Sequence, residues 1–189
     1  PVYWELIEPE EGRYDFSTVD YLLKSARANG QKLILLWFGS WKNSMSCYAP
    51  SWVKRGFNSE FELAANSDGS IPEIMSAFSE RNVRADAKAF ASLMKYIRKA
   101  DGSEGTVIMV QVENEIGMLG DARDHSKLAQ NAYNSPVPYD MMYMLTSGKA
   151  NDHINDVWKA AGKATTGSWK EVFGSSLDAD EIFTVSYTH

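Results

Sequence analysis

Two carboxylates and two amides crowd the end of one apolar run. Thr106-Val107-Ile108-Met109-Val110-Gln111-Val112 leads straight into Glu113-Asn114-Glu115-Ile116-Gly117. Alternate residues of an extended strand share a face, so Gln111, Glu113 and Glu115 are expected on the same side. Such groups are costly to bury without partners, and at a strand end they mark a place where partners are supplied. Glu113 is expected to be held structurally, by an Arg or a Trp N–H. Glu115 lies further out and is the candidate for chemistry, because an apolar, aromatic setting raises a carboxyl pKa and lets it donate a proton near neutral pH. Asn114 beside it suits a hydrogen bond to a substrate hydroxyl. Two other acids, Glu5 and Glu8, precede Pro9; Glu8 is expected to stabilise that turn, and neither it nor Glu5 nor Glu113 is assigned a catalytic role. His125, His153 and His189 fall in polar stretches without ligand spacing, so no metal and no cofactor is expected.

The elements that must position these residues alternate along the chain. Pro1 to Ile7 is extended in pattern, and Glu8-Pro9-Glu10-Glu11-Gly12 is a turn. Ser17 opens a helix in which Val19, Leu22, Leu23 and Ala26 recur at helical spacing, closed by Asn29-Gly30. Lys32 to Phe38 is nearly all apolar, as in a strand covered on both faces. An irregular stretch to Glu80 precedes a helix over Arg81 to Lys99, with Phe90, Leu93, Met94 and Ile97 on one stripe, and then the third strand. Beyond Gly117 a loop is predicted to Pro138. Helical pieces follow at Tyr139–Leu145, Ile154–Ala161, Ser168–Phe173 and from Asp178, where Asp178 and Glu181 have capping-box spacing.

A β-α-β-α-β-α order implies a parallel sheet. A doubly wound sheet usually carries a glycine-rich phosphate turn after its first strand. Here that turn is acidic, which leaves a (β/α)8 barrel, in which the active site lies at the C-terminal ends of the strands. Three strands are a part of one. The chain also opens in a strand and stops in a helical pattern, so residues 1–189 are expected to be one partial barrel domain of a longer protein, with no second domain.

Composition narrows the partners. Lys and Arg total 19 against 25 Asp and Glu, a formal net charge of −6 with no basic run, so nucleic acid is not an expected partner. No apolar stretch reaches membrane-spanning length, and the lone Cys47 cannot form an internal disulfide. Aromatic residues reach 12%, including 6 Trp and 9 Tyr, and rigid apolar rings suit the flat faces of sugars.

The motifs sharpen that hint. Gln111-Val112-Glu113-Asn114-Glu115-Ile116-Gly117 resembles the Q-x-E-N-E-Y-G segment of glycoside hydrolase family 35, the β-galactosidases, with Ile116 in place of Tyr. Trp4-Glu5-Leu6-Ile7-Glu8-Pro9 through Gly12, Tyr14 and Phe16 resembles the family's W-N-x-H-E-P-x-x-G-x-Y-x-F, with Glu5 and Ile7 replacing Asn and His. Pro50-Ser51-Trp52 is similar to its L-P-x-W. The run including Leu36 to Asn43 resembles a bacterial branch related to families 35 and 42.

The resemblance implies a retaining β-galactosidase acting on terminal β-galactosides by double displacement. Its second, third and fourth barrel strands would be the three read here, with Glu115 as general acid/base and Asn114 on the sugar hydroxyl beside the anomeric carbon. The family's sugar-binding C-A-E-W would fall on Trp41-Lys42-Asn43-Ser44, with Asn43 where the family has Glu; Trp37 or Trp41 is the candidate stacking wall, with a core role as readily expected of Trp37. The nucleophile, from the seventh strand, would lie outside these residues, and the chain by itself would be inactive. The alternatives are another β-glycosidase of the same clan, a β-glucosidase or endo-glucanase, and a non-catalytic carbohydrate-binding remnant. The expected partner is a carbohydrate substrate. The sequence assigns neither compartment nor oligomeric state.

Overall fold

The computed structural model describes residues 1–41, 47–115, 118 and 120–187, the last of these by its backbone. They form two compact units, one of residues 1–63 and 72–116, the other of residues 64–71 and 117–189.

The first unit holds three parallel strands in the order β1-β2-β3. β1 is Val2–Tyr3, β2 Leu33–Phe38 and β3 Val107–Val112. Val2 lies opposite Trp37, and Trp37 opposite Val112, so the C-terminal ends of all three strands come level. The extended reading of Pro1 to Ile7 is corrected after Tyr3. Trp4–Ile7 forms one helical turn, α1, because the Glu8 N–H donates to the Trp4 carbonyl (2.9 Å) while the Trp4 indole N–H donates to Glu8 Oε2 (2.9 Å).

The expected helices form as α2, Ser17–Ala28, and, after the single turn α3 at Ser51–Lys54, as α4, Glu80–Asp101. Ser17 stands inside α2, its N–H taken by Asp15 Oδ1. In α4 the buried stripe runs through Asn82, Ala85, Asp86, Ala89, Leu93, Ile97 and Asp101, one position round from the apolar stripe expected, and Met94 is 36% exposed. Val19 and Leu23 of α2, Leu35 and Trp37 of β2, and Ala85, Ala89 and Leu93 of α4 share one core with Trp4 and Ile7. Cover on both sheet faces is not found. Ile34 (51% exposed) and Met109 (54%) lie opposite each other on the face away from the core, while Ile108 (63%) and Val112 (54%), on the face of Leu35 and Trp37, stay open because β3 is an edge of the described sheet.

The lower end of the sheet is tied by charge. Arg27 Nη2 donates to Asp101 Oδ1 (2.6 Å), Arg27 Nε to Thr106 Oγ1 (3.0 Å), and the Val107 N–H to Asp101 Oδ2 (2.7 Å). Burial alone would raise the Asp101 pKa, but the bonds from Thr106, Val107 and Arg27 outweigh it and hold the carboxyl at about 2. A carboxyl depressed in the fold binds its proton more readily once unfolded. Its stabilisation is therefore full above about pH 4 and is lost as pH falls toward 2. Asp101→Asn is expected to lower stability at neutral pH and to flatten this acid loss, as read by urea unfolding at a series of pH values.

The second unit is helical. α5 is Lys127–Tyr133, α6 Tyr139–Thr146, α7 Asp152–Ala160, α8 Trp169–Phe173 and α9 Leu177–Tyr187. The loop expected up to Pro138 contains α5, capped by Ser126, whose Oγ accepts the Ala129 N–H. The capping box is Ser168 with Glu171, not Asp178 with Glu181; Asp178 lies within α9, and Ser176 Oγ accepts the Ala179 N–H. Trp169, Phe173, Tyr133 and Phe183 form an aromatic cluster at the centre of this unit. No described helix is long and apolar enough to cross a membrane.

Candidate functional site

Where β2 ends, Gly39, Ser40 and Trp41 turn across the top of the sheet. This turn is held by two carboxyl groups from different elements. Asp86 of α4, 8% exposed, accepts from the Trp37 indole N–H (2.8 Å), the Ser40 N–H (2.7 Å) and the Ser40 hydroxyl (2.5 Å). Glu113, just past β3, accepts on Oε2 from the N–H groups of Trp41 (2.9 Å) and Gly39 (3.3 Å). A Cβ on Gly39 would stand 2.5–2.7 Å from Asp86 Oδ1 and Oδ2 and Glu113 Oε1, so only glycine lets the two acids close over this backbone.

Burial, then the adjacent Asp86 charge and the hydrogen bond with Asp86, push the Glu113 carboxyl up to about 10, against the lowering pull of the Trp41 and Gly39 N–H groups. The structural role expected for Glu113 is therefore found with different partners: backbone N–H groups and Asp86 hold it. Asp86 was missed in the sequence. Its signal was an acid at i+4 from Asn82 and three residues before Ala89, on the buried line of α4.

Strand alternation stops at Val112. Glu113 and Glu115 have left-handed φ values of 59° and 49°, so Gln111, Glu113 and Glu115 do not share one face as expected. Non-glycine residues seldom adopt such values, and pairs of them at a strand end are typical of functional turns. Gln111 Nε2 braces the turn by donating to the Glu113 carbonyl (3.1 Å) and to Asn114 Oδ1 (2.9 Å). Asn114 is half-buried and Glu115 exposed, so the burial expected to raise the pKa of Glu115 is found at Glu113 instead.

Trp41 is 7% exposed, and its contribution visible here is the N–H given to Glu113. Lys42 and Asn43 lie outside the described residues. Glu8 does the turn-stabilising work expected of it. It is 2% exposed, and its two oxygens accept from the Trp4 indole and from the N–H of Gly12, whose φ is +74°. Trp52 donates its indole N–H to the Glu8 carbonyl (3.1 Å), which ties the Pro50-Ser51-Trp52 segment to the Trp4 segment. Glu8→Ala leaves two donors unpaired, one of them fully buried, and is expected to cost about 2–4 kcal/mol in denaturant unfolding.

This is an α/β chain with an acid on a tight turn at the C-terminal end of a parallel strand, the architecture of barrel enzymes. Solved structures share the fold. A GH42 β-galactosidase from G. stearothermophilus, in a catalytic-mutant form, superposes with a TM-score of 0.55 at 19% identity, over 98% of this chain and 27% of that one. The β-galactosidase of the psychrophilic Marinomonas ef1 gives 0.50 at 19% identity, over 93% and 23%. A β-galactosidase of Xanthomonas manihotis is 30% identical over 156 residues, 79% of this chain and 23% of that protein. The glycoside hydrolase family 42 β-galactosidase model matches residues 2–173, and the chain belongs to that family. Of the two related families suggested by the motifs, it is family 42 that the match identifies. The chain spans about a quarter of the length of these relatives.

Proposed function

We propose that these residues are the acid/base part of a retaining β-galactosidase, a partial (β/α)8 barrel formed by one catalytic domain that includes both compact units. The observation that carries this reading is the Gln111-braced turn, which presents Asn114 and Glu115 at the C-terminal end of β3 in a family 42 chain. Glu115 first protonates the leaving glycosidic oxygen and later takes a proton from the water that releases the sugar. Asn114 contacts the hydroxyl beside the anomeric carbon, and Lys42 and Asn43 contribute to the sugar subsite. Trp41 belongs to the same subsite through the loop it anchors.

Retention requires a second carboxylate about 5–5.5 Å from the first. The neighbouring described acids, Glu113 and Asp86, are already committed to backbone, indole and hydroxyl donors. By the resemblance, the nucleophile comes from the seventh barrel strand, outside these residues. The exposed Ile108, Met109 and Val112 of β3 fit the same view, as surface on which the rest of a barrel packs.

The test is a comparison of kcat/KM for aryl β-galactosides and aryl β-glucosides with the full-length protein. A preference for the galactoside of tenfold or more supports the reading. Preference for the glucoside redirects it to another β-glycosidase, and hydrolysis of neither overturns it.

A further inference from the structure

We propose that Asp86 and Glu113 share a single proton and act together as the positioning device of this site, locking the loop after β2 to the turn that carries Asn114 and Glu115. The proposal rests on the acid/base reading of Glu115 for its functional consequence, but not for the shared proton itself.

Geometry makes the case. Asp86 is filled with donors: the Trp37 indole, the Ser40 N–H and the Ser40 hydroxyl all point at it. Asp86 thus accepts on both oxygens, Oδ1 from the Trp37 indole and Oδ2 from Ser40. Glu113 turns Oε2 to the Gly39 and Trp41 N–H groups, which leaves Oε1 on the side of the Asp86 carboxyl. Asp86 Oδ1 and Oδ2 and Glu113 Oε1 converge on the Cβ position missing from Gly39. Two carboxyl groups converging on one backbone position repel strongly when both are ionised in a low-dielectric setting, and one proton between them removes that repulsion. The proton belongs on Glu113 Oε1, which then donates to Asp86 while Oε2 accepts. In that form every hydrogen-bonding group of the pair has a partner, and no ion pair among the described residues involves either acid. Among the described residues, Cys47 also faces Glu113, a thiol that burial pushes up to about 11, so it adds no charge in the neutral range.

The consequence is mechanical. Glu113 holds its own residue at φ +59°, at the head of the Glu113–Glu115 turn, while its side chain grips Trp41, the residue before Lys42 and Asn43. A single protonated acid thus sets both sides of the proposed sugar subsite. A glutamine would mimic that protonated acid: its carbonyl can accept the two backbone N–H groups and its amide can donate to Asp86. An asparagine at position 86 cannot mimic the ionised partner, because its amide would face a donor.

Infrared difference spectra and kinetics of the full-length protein test this together. At pH 8 the wild type should show the carbonyl stretch of a protonated carboxylic acid that disappears in Glu113→Gln and in Asp86→Asn. The Glu115→Gln variant should retain the signal. In turnover, Glu113→Gln is expected to cost less than about threefold in kcat, whereas Glu113→Ala and Asp86→Asn cost more than about tenfold. Relative to Glu113→Gln, the wild-type unfolding constant should rise about tenfold per pH unit above pH 5, because the folded state keeps a proton that the unfolded chain releases. Absence of the acid signal at pH 8, or a Glu113→Gln variant as impaired as Glu113→Ala, overturns the shared proton. Persistence of the signal with full activity in Glu115→Gln would instead leave the pair standing and remove the acid/base role of Glu115.

Discussion

Glu115→Gln is expected to lower kcat of the full-length protein by about 10²–10⁴-fold, the usual contribution of a positioned general acid/base. Glutamine keeps the shape of the side chain and a hydrogen bond to the glycosidic oxygen, so KM should change far less than kcat. The loss should also depend on the aglycone. A basic sugar alcohol needs the proton to leave, whereas an activated nitrophenolate hardly does, so the variant should retain more of its rate in forming the glycosyl-enzyme from the activated substrate. Asn114→Ala is expected to weaken turnover in the same direction without this dependence, since Asn114 binds and transfers no proton. Equal rates for wild type and Glu115→Gln on an unactivated galactoside would remove Glu115 from the mechanism.

Gly39→Ala has the second large expected effect, and it acts without touching substrate. The added carbon would stand 2.5–2.7 Å from three carboxyl oxygens, closer than real Cβ contacts come, and two of those oxygens belong to an acid that is 8% exposed. Either Asp86 or Glu113 must withdraw. If Asp86 moves, the Trp37 indole and both Ser40 donors lose their acceptor; if Glu113 moves, the Trp41 and Gly39 N–H groups lose theirs. Overpacking of this kind, together with orphaned donors, is expected to cost about 2–4 kcal/mol of stability. Because the turn bearing Glu115 is released with it, kcat should fall at least tenfold even at temperatures where the variant is fully folded. Thermal unfolding and kinetics on the same preparation separate the two effects. A fully stable Gly39→Ala with normal kcat would show that the two acids do not clamp this turn.

The parts of this account that were legible in the sequence are those that depend on local order. The alternation of apolar runs with helical stripes revealed β2, α2, α4 and β3, and the cluster of Glu113, Asn114 and Glu115 pointed to the turn after β3. Side-chain direction was harder, because it depends on backbone conformations that spacing does not encode. Simple alternation put Gln111, Glu113 and Glu115 on one face, but left-handed φ values at Glu113 and Glu115 break it and send the first acid inward. Asp86 was hidden for another reason. The stripe of α4 was read from apolar residues, whereas its buried line includes Asn82, Asp86 and Asp101, whose burial depends on hydrogen-bond partners supplied by other segments. Trp4 to Ile7 looked extended for want of the same kind of information, since the bond from its indole to Glu8 is what closes the turn. α5 escaped notice because it buries only Ala129 and Tyr133, too few apolar positions to show a helical period.

The central claim, that Glu115 is the acid/base of a retaining β-galactosidase, is tested most directly by azide rescue of Glu115→Ala in the full-length protein. With an activated aryl β-galactoside, the first step needs little acid help, so the galactosyl-enzyme should accumulate for want of a base to activate water. Azide needs no base, and it fits the space the lost side chain leaves. The account predicts that azide accelerates turnover and that the product is β-galactosyl azide, identified by the anomeric coupling in its NMR spectrum. No acceleration, or an α-galactosyl azide, would contradict it.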